Sequence, residues 1–212
     1  MRKLILTTAA VAAAIAGAVA GEPSFGTFTD TRDGQTYKTV KIGTQTWMAR
    51  NINYRTDSSW CYDNNADNCK RYGRLYDWKT ATTICPNGWK LPSREDWKSL
   101  VATIGGEEIE GKKLKSKNGW KWNEYENVSG NGTDDYGFSA LPGGNRHING
   151  SFHFAGFTGY WHSATENNHC CTEVGSSGCA IIWIMFNNSD RLGRDILDKS
   201  VARSVRCVAD RP

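Results

Sequence analysis

Beyond residue 20 the chain has no long apolar run, so no later segment reads as a membrane-spanning helix. Leucine is scarce, which argues against a helical bundle. A strong charge of one sign is also missing. The 26 Lys and Arg against 22 Asp and Glu give a formal charge of +4, and Arg2 and Lys3 supply two of those charges. The remaining surplus is too small for a nucleic-acid footprint. No Gly-x-Ser-x-Gly elbow or Ser/His/Asp set marks a hydrolase. His147, His153, His162 and His169 lack zinc-ligand spacing. The Gly106, Gly111, Lys112 run imitates a phosphate loop, but Lys113 stands where Ser or Thr belongs and three glutamates inside it repel phosphate. There is no internal repeat and no interdomain linker.

What the chain has is a basic start followed by the apolar run Leu4 to Ala20, ending in Ala18-Val19-Ala20. This is the layout of a cleaved secretory signal peptide over residues 1–20, and no cysteine follows it to take a lipid anchor. Residues 21–29 read as a flexible lead-in, and 30–210 as a single domain of α+β class with long loops. Export with seven cysteines favours disulfides over metal thiolates. Cys61 and Cys69 bracket a polar loop over residues 51–71. Cys85 with Cys207 closes a loop of roughly 120 residues, worth about 5 kcal/mol in the chain-entropy picture. Cys179 is expected to pair with Cys170 or Cys171, between which the sequence does not choose, with a vicinal Cys170–Cys171 bridge as the alternative, and one cysteine is left over.

Asp33-Gly34 signals a hairpin turn, with strands over 37–42 and 45–49 after it. Trp78, Ala81, Thr82 and Cys85 share one helical face, ended by Pro86. Ser93 and Asp96 form a capping box for a second helix, in which Trp97, Leu100, Val101 and Ile104 make a core-facing stripe before Gly105-Gly106. The basic cluster 112–117 reads as a solvated face. Residues 111–159 read as loops with short strands. Strands follow over 159–165, over 180–186 (apolar on both faces, hence central) and at the end over 203–208.

The motifs Asp33-Gly34-Gln35-Thr36-Tyr37, Ile42-Gly43-Thr44-Gln45-Thr46-Trp47-Met48-Ala49, Asn51-Ile52-Asn53, Tyr72-Gly73-Arg74-Leu75-Tyr76, Cys85-Pro86-Asn87-Gly88-Trp89, Tyr160-Trp161 with Ser163, and Ser204-Val205-Arg206-Cys207 resemble the Fibrobacter succinogenes major paralogous domain. The resemblance spans about residues 30–210 and implies an exported bacterial domain of undefined function. More distantly, Leu91-Pro92-Ser93-Arg94-Glu95-Asp96-Trp97 and Val205-Arg206-Cys207 resemble the C-type-lectin-like fold, including formylglycine-generating (sulfatase-modifying) enzymes. This implies a C-type-lectin-like scaffold of two helices, short antiparallel strands and long loops. The enzymes' paired copper-binding cysteines and the lectins' Glu-Pro-Asn and Trp-Asn-Asp calcium motifs are not reproduced.

Trp120, Trp122 and Tyr125 sit among polar residues, where exposed rings would stack on sugars and amide or carboxylate neighbours would bond hydroxyls; packing as core is the competing use. Asp134, Asp135 and Tyr136 are further ligand-binding candidates. Asp63, Asn65 and Asp67 have the spacing of a calcium loop, but Asn68 replaces the usual glycine and Arg74 the bidentate glutamate. Calcium is therefore the one cofactor left open, and no other is expected. The expected function is a secreted or surface-displayed, non-catalytic module that binds a polysaccharide or a surface protein through the loops of 111–159. The competing readings are an enzyme on a formylglycine-generating-type scaffold and a structural cell-envelope protein.

Overall fold

A computed structural model describes residues 23–106, 110–167 and 178–210. The leader expected over 1–20 lies outside them. The fold opens with β1 (Ser24–Thr29), which pairs antiparallel with β2 (Thr36–Ile42) around the Asp33-Gly34 turn, and β2 pairs in turn with β3 (Gln45–Met48). The flexible lead-in expected over 21–29 is therefore corrected: Ser24–Thr29 is an edge strand. It is exposed along most of its length and lacks the apolar alternation that marks a strand in sequence.

After β4 (Ser59–Trp60), the polar stretch 51–71 contains a helix that was expected to be loop. The helix is α1 (Ala66–Tyr72), started by the Asn65 side chain accepting from Asp67 N at 2.9 Å. It carries Cys69 into a disulfide with Cys61. β5 (Leu75–Tyr76) follows, and then α2 (Trp78–Ala81), capped by Asp77. The helix expected to reach Pro86 stops well before it. Thr82 and Thr83 turn their hydroxyls back onto the carbonyls of Lys79 and Thr80. β6 (Trp89–Lys90) leads into α3 (Arg94–Ile104), whose Ser93–Asp96 capping box and left-handed Gly105 end are as the sequence predicts. The helix buries Trp97, Leu100, Val101 and Ile104.

A short helix, α4 (Glu110–Leu114), precedes the ribbons β7 (Trp122–Asn123) with β8 (Val128–Ser129), and β9 (Asn145–Arg146) with β10 (Phe152–His153). The long strands β11 (Thr158–Asn167) and β12 (Cys179–Phe186) then pair with each other, and β12 pairs on its other side with β13 (Gly193–Asp198). β12 is buried on both faces until Phe186, as expected of a central strand. The final run is not one strand. It divides into β14 (Arg203–Ser204) and β15 (Val208–Ala209), which belong to different sheets. Among the described residues the sheets run β1-β2-β3-β15-β6 and β13-β12-β11-β14-β5-β4, so residues 203–209 stitch the two together.

The core lies between these sheets and α3. Trp97 is its centre, with Trp47 at 5.0 Å, Trp183 stacked at 5.4 Å and Phe138 at 5.9 Å between ring centroids. Five of the nine tryptophans (47, 97, 120, 161 and 183) are buried, so the aromatic excess is largely structural. A buried polar knot lies beside the rings. The Asn51 side-chain oxygen accepts from Trp161 Nε1 at 2.9 Å and from Arg206 Nε and Nη2 at 3.1 and 2.9 Å. Arg206 Nη1 also donates to the carbonyls of Met48 and Phe138. Three of the family-like motifs thus meet at one oxygen. Cys85 and Cys207, 122 residues apart, are bonded as expected. Cys179 is also disulfide-bonded, and its partner lies outside the described residues.

The expected solvated face over 112–117 is corrected at Lys115, which is buried; its ammonium donates to Ser189 O at 2.7 Å and lies 4.8 Å over the Trp120 ring. Burial pushes its pKa down to about 8.

Candidate ligand-binding face

The β7–β8 hairpin is organised from within. Asn123 is buried, and its side-chain oxygen accepts from the backbone of Tyr125 and Glu126 at 3.2 and 3.4 Å. Its amide donates to Glu126 Oε2 at 3.1 Å. This turn of the Asx kind holds the tip in shape and leaves Tyr125 95% and Trp122 52% exposed.

The hairpin is also bound to the body of the domain. Lys121 N donates to Gly156 O at 2.7 Å, Asn187 Nδ2 to Trp122 O at 3.2 Å, and Asn187 N to Phe157 O at 2.7 Å. At Gly130 a Cβ would lie 2.2 Å from Lys121 O, so only glycine lets the returning strand pass this closely. Three chain segments are thereby laced together, and they present Trp122, Tyr125, Phe157 and Phe186 to solvent. Sequence reasoning missed the last two. Phe157 follows no period, and Phe186 reads as the end of an apolar strand; the Asn187-Asn188 pair after it was the available sign that the strand surfaces there.

Beside the hairpin is a cleft of about 500 Å³ lined by Asn123, Glu126, Ser129, Asn187, Ser189 and Arg191. Lys112 and Asp190 bridge at 3.3 Å on its wall. Such a lining can donate to and accept from a hydroxyl-rich ligand at several points.

The remaining candidates are placed elsewhere. Trp120 is buried, its indole donating to Ala140 O at 3.0 Å. Asp134 has φ +50° and accepts from Ser139 N and Oγ at 2.7 and 2.6 Å. Burial raises its pKa, against the pull of the Ser139 hydrogen bonds and the Arg206 charge. Tyr136 packs partly buried against the core, and Asp135 is exposed. Asp134 lines a separate cleft with Phe25 and Lys117. Of the six ligand candidates, the hairpin brings Trp122 and Tyr125 together.

The calcium candidates are each engaged in the α1 turn. Asn65 caps the helix, Asp67 pairs with Lys70 at 2.8 Å, and Asp63 sits in a left-handed turn. Among the described residues no three His, Cys, Asp or Glu side chains converge. Every cysteine among those residues is in a disulfide.

In comparison with known families, residues 40–209 match the Fibrobacter succinogenes major domain. The chain belongs to that family. No curated protein and no solved structure matches it. In this Fibrobacter succinogenes major domain the matched span runs from the middle of β2 to the end of β15 and so includes both the frame and the hairpin. Its motif residues Asn51, Trp161 and Arg206 are frame. The exposed Trp122 and Tyr125 lie outside every motif that carries the resemblance.

Proposed function

We propose that the chain is an exported, non-catalytic binding module on a C-type-lectin-like scaffold, and that it holds a polysaccharide across the β7–β8 hairpin and the adjoining cleft. The observation that carries this reading is an exposed tryptophan and tyrosine on a hairpin fixed by Asn123, directly beside a polar cleft. Flat apolar faces suit the C–H faces of sugar rings, and amide, hydroxyl and carboxylate groups suit their hydroxyls. The disulfides support export, since such bonds persist in oxidising compartments. The described residues contain no helix long and apolar enough to cross a membrane.

Glycan arrays and pull-downs on insoluble polysaccharides test the reading, with Trp122→Ala and Tyr125→Ala as variants. Retention of the parent chain, weakened roughly tenfold or more by Trp122→Ala, is expected for the loss of a stacking anchor. Uniformly negative arrays, or retention unchanged in both variants, would sink it. No cofactor is needed, so chelator leaves binding and melting temperature unchanged; heat on titrating calcium would overturn that part. N-terminal sequencing of the mature protein is expected to begin at Gly21.

A further inference from the structure

A second cavity, of about 520 Å³, is bounded by Trp60, Trp78, Ile148, Arg146, Lys199 and Asp77. Its chemistry differs from that of the hairpin cleft. Arg146 is pinned through its backbone, which exchanges hydrogen bonds with Ala202 at 2.9 Å in both directions. Its guanidinium lies 4.3 Å over the Trp60 ring, with Phe152 at 5.8 Å. Yet among the described residues it has no carboxylate partner, and its Nε is buried without a hydrogen bond. Lys199 lies 4.4 Å over Trp78 and is neutralised by Glu166 at 2.9 Å. Asp77 is occupied at 2.7 Å in capping α2.

A planar cation stacked on tryptophan is pre-organised and weakly hydrated, and the N–H groups of its free edge suit two oxygens of one carboxylate or sulfate. The neighbouring wall joins the Trp60 and Trp78 indoles and Ile148 to the polar Lys79, Lys199 and Ser200, so the anion fits on a body with both apolar faces and hydroxyls. The adjoining edge strand β4 is two residues long, too short to template an added peptide strand. That favours a ring over an extended chain.

We propose that this cavity is a second binding site, independent of the hairpin face, which takes an acidic sugar with its oxyanion on Arg146 and its ring against Trp60 and Trp78. Among the described residues Arg146 and the exposed Lys79 are the cations of the wall without a carboxylate partner, and Arg146 is the one held by stacking on an indole. The fitting group is therefore an oxyanion seated on its guanidinium: the carboxylate of a uronate or a sulfate ester.

The test is titration of the full chain with a galacturonate trisaccharide, its carboxyl-reduced neutral counterpart, a sulfated neutral trisaccharide and an acetylated acidic peptide. The indole N–H signals of Trp60 and Trp78 serve as local reporters. Expected is binding of an acidic sugar that weakens as salt is raised, with the neutral counterpart and Arg146→Ala each weaker by roughly tenfold or more. Arg146→Lys, which keeps the charge and loses the fork, is expected to recover only part of the affinity. Preference for the uronate or for the sulfate ester identifies the oxyanion. Trp122→Ala leaves this binding unchanged, so failure of the hairpin reading leaves this result standing. Equal affinity for charged and neutral trisaccharides, no acidic sugar bound, capture of the peptide alone, or binding in Arg146→Lys equal to the parent would each overturn the proposal.

Discussion

The frame around Trp97 and the face around Trp122 use the same residue types in opposite ways. In the frame, tryptophans are packed ring against ring, and the polar groups beside them (Asn51, Arg206) are consumed by one another. On the face, the aromatic rings stand free and the polar groups line an open cleft. Only Asn123 there is buried, and its bonds shape the hairpin itself. The frame therefore resists substitution because its groups depend on each other. The face can vary its side chains so long as Asn123 and Gly130 keep the turn and the close strand passage.

That contrast can be broken from the frame side first. Replacing Cys85 and Cys207 by serine frees a long loop and is expected to lower stability by about 5 kcal/mol, read from urea midpoints. Trp97→Ala, which empties the centre of the ring cluster, should cost about 4 kcal/mol in the same measurement. Asn51→Ala leaves the buried Arg206 short of its main acceptor and is expected to cost about 3 kcal/mol. Should Asn51→Ala prove neutral, the polar knot is not part of the frame.

The next effect depends on pH. His162 is fully buried, and burial, with the Arg203 charge, depresses its pKa from 6.5 to about 3. Between those values only the unfolded chain takes up the proton, so stability falls as pH falls. The loss is about 2 kcal/mol at about pH 5. His162→Asn should flatten that part of the profile; an identical acid slope in parent and variant would refute the assignment. The smallest effect sharpens the comparison from the other side. Trp122→Ala should change stability by less than about 0.5 kcal/mol while weakening polysaccharide retention roughly tenfold or more. A loss as large as that of Trp97→Ala would make Trp122 part of the frame.

The frame was legible in sequence where one residue's chemistry decided the local structure. Ser93 and Asp96 announce the start of α3, the spacing of Trp97 to Ile104 gives its buried face, and β12 reads as central because both its faces are apolar. Elements defined by pairing alone were hidden. β1 is an exposed edge known only by its register with β2, and α1 lies among Asx residues that favour turns equally. The face was half legible. Trp120 and Trp122, two apart, would share a side in a regular strand. The strand begins only at Trp122, so one ring goes into the core and the other into solvent. The acceptor that buries Trp120, Ala140 O, is distant in sequence and was not readable.

Residues 203–209, which stitch the two sheets, have a consequence for biogenesis. A chain emerges N-terminus first, and β14 and β15, one in each sheet, are the last described elements of the domain to appear. Until they arrive, β3 and β6 lack the partner between them, β5 and β11 lack theirs, and Cys85 has no Cys207. A nascent chain stalled before Arg203 therefore has half-sheets with open edges, and must be kept from pairing with its neighbours until residues 203–209 are threaded.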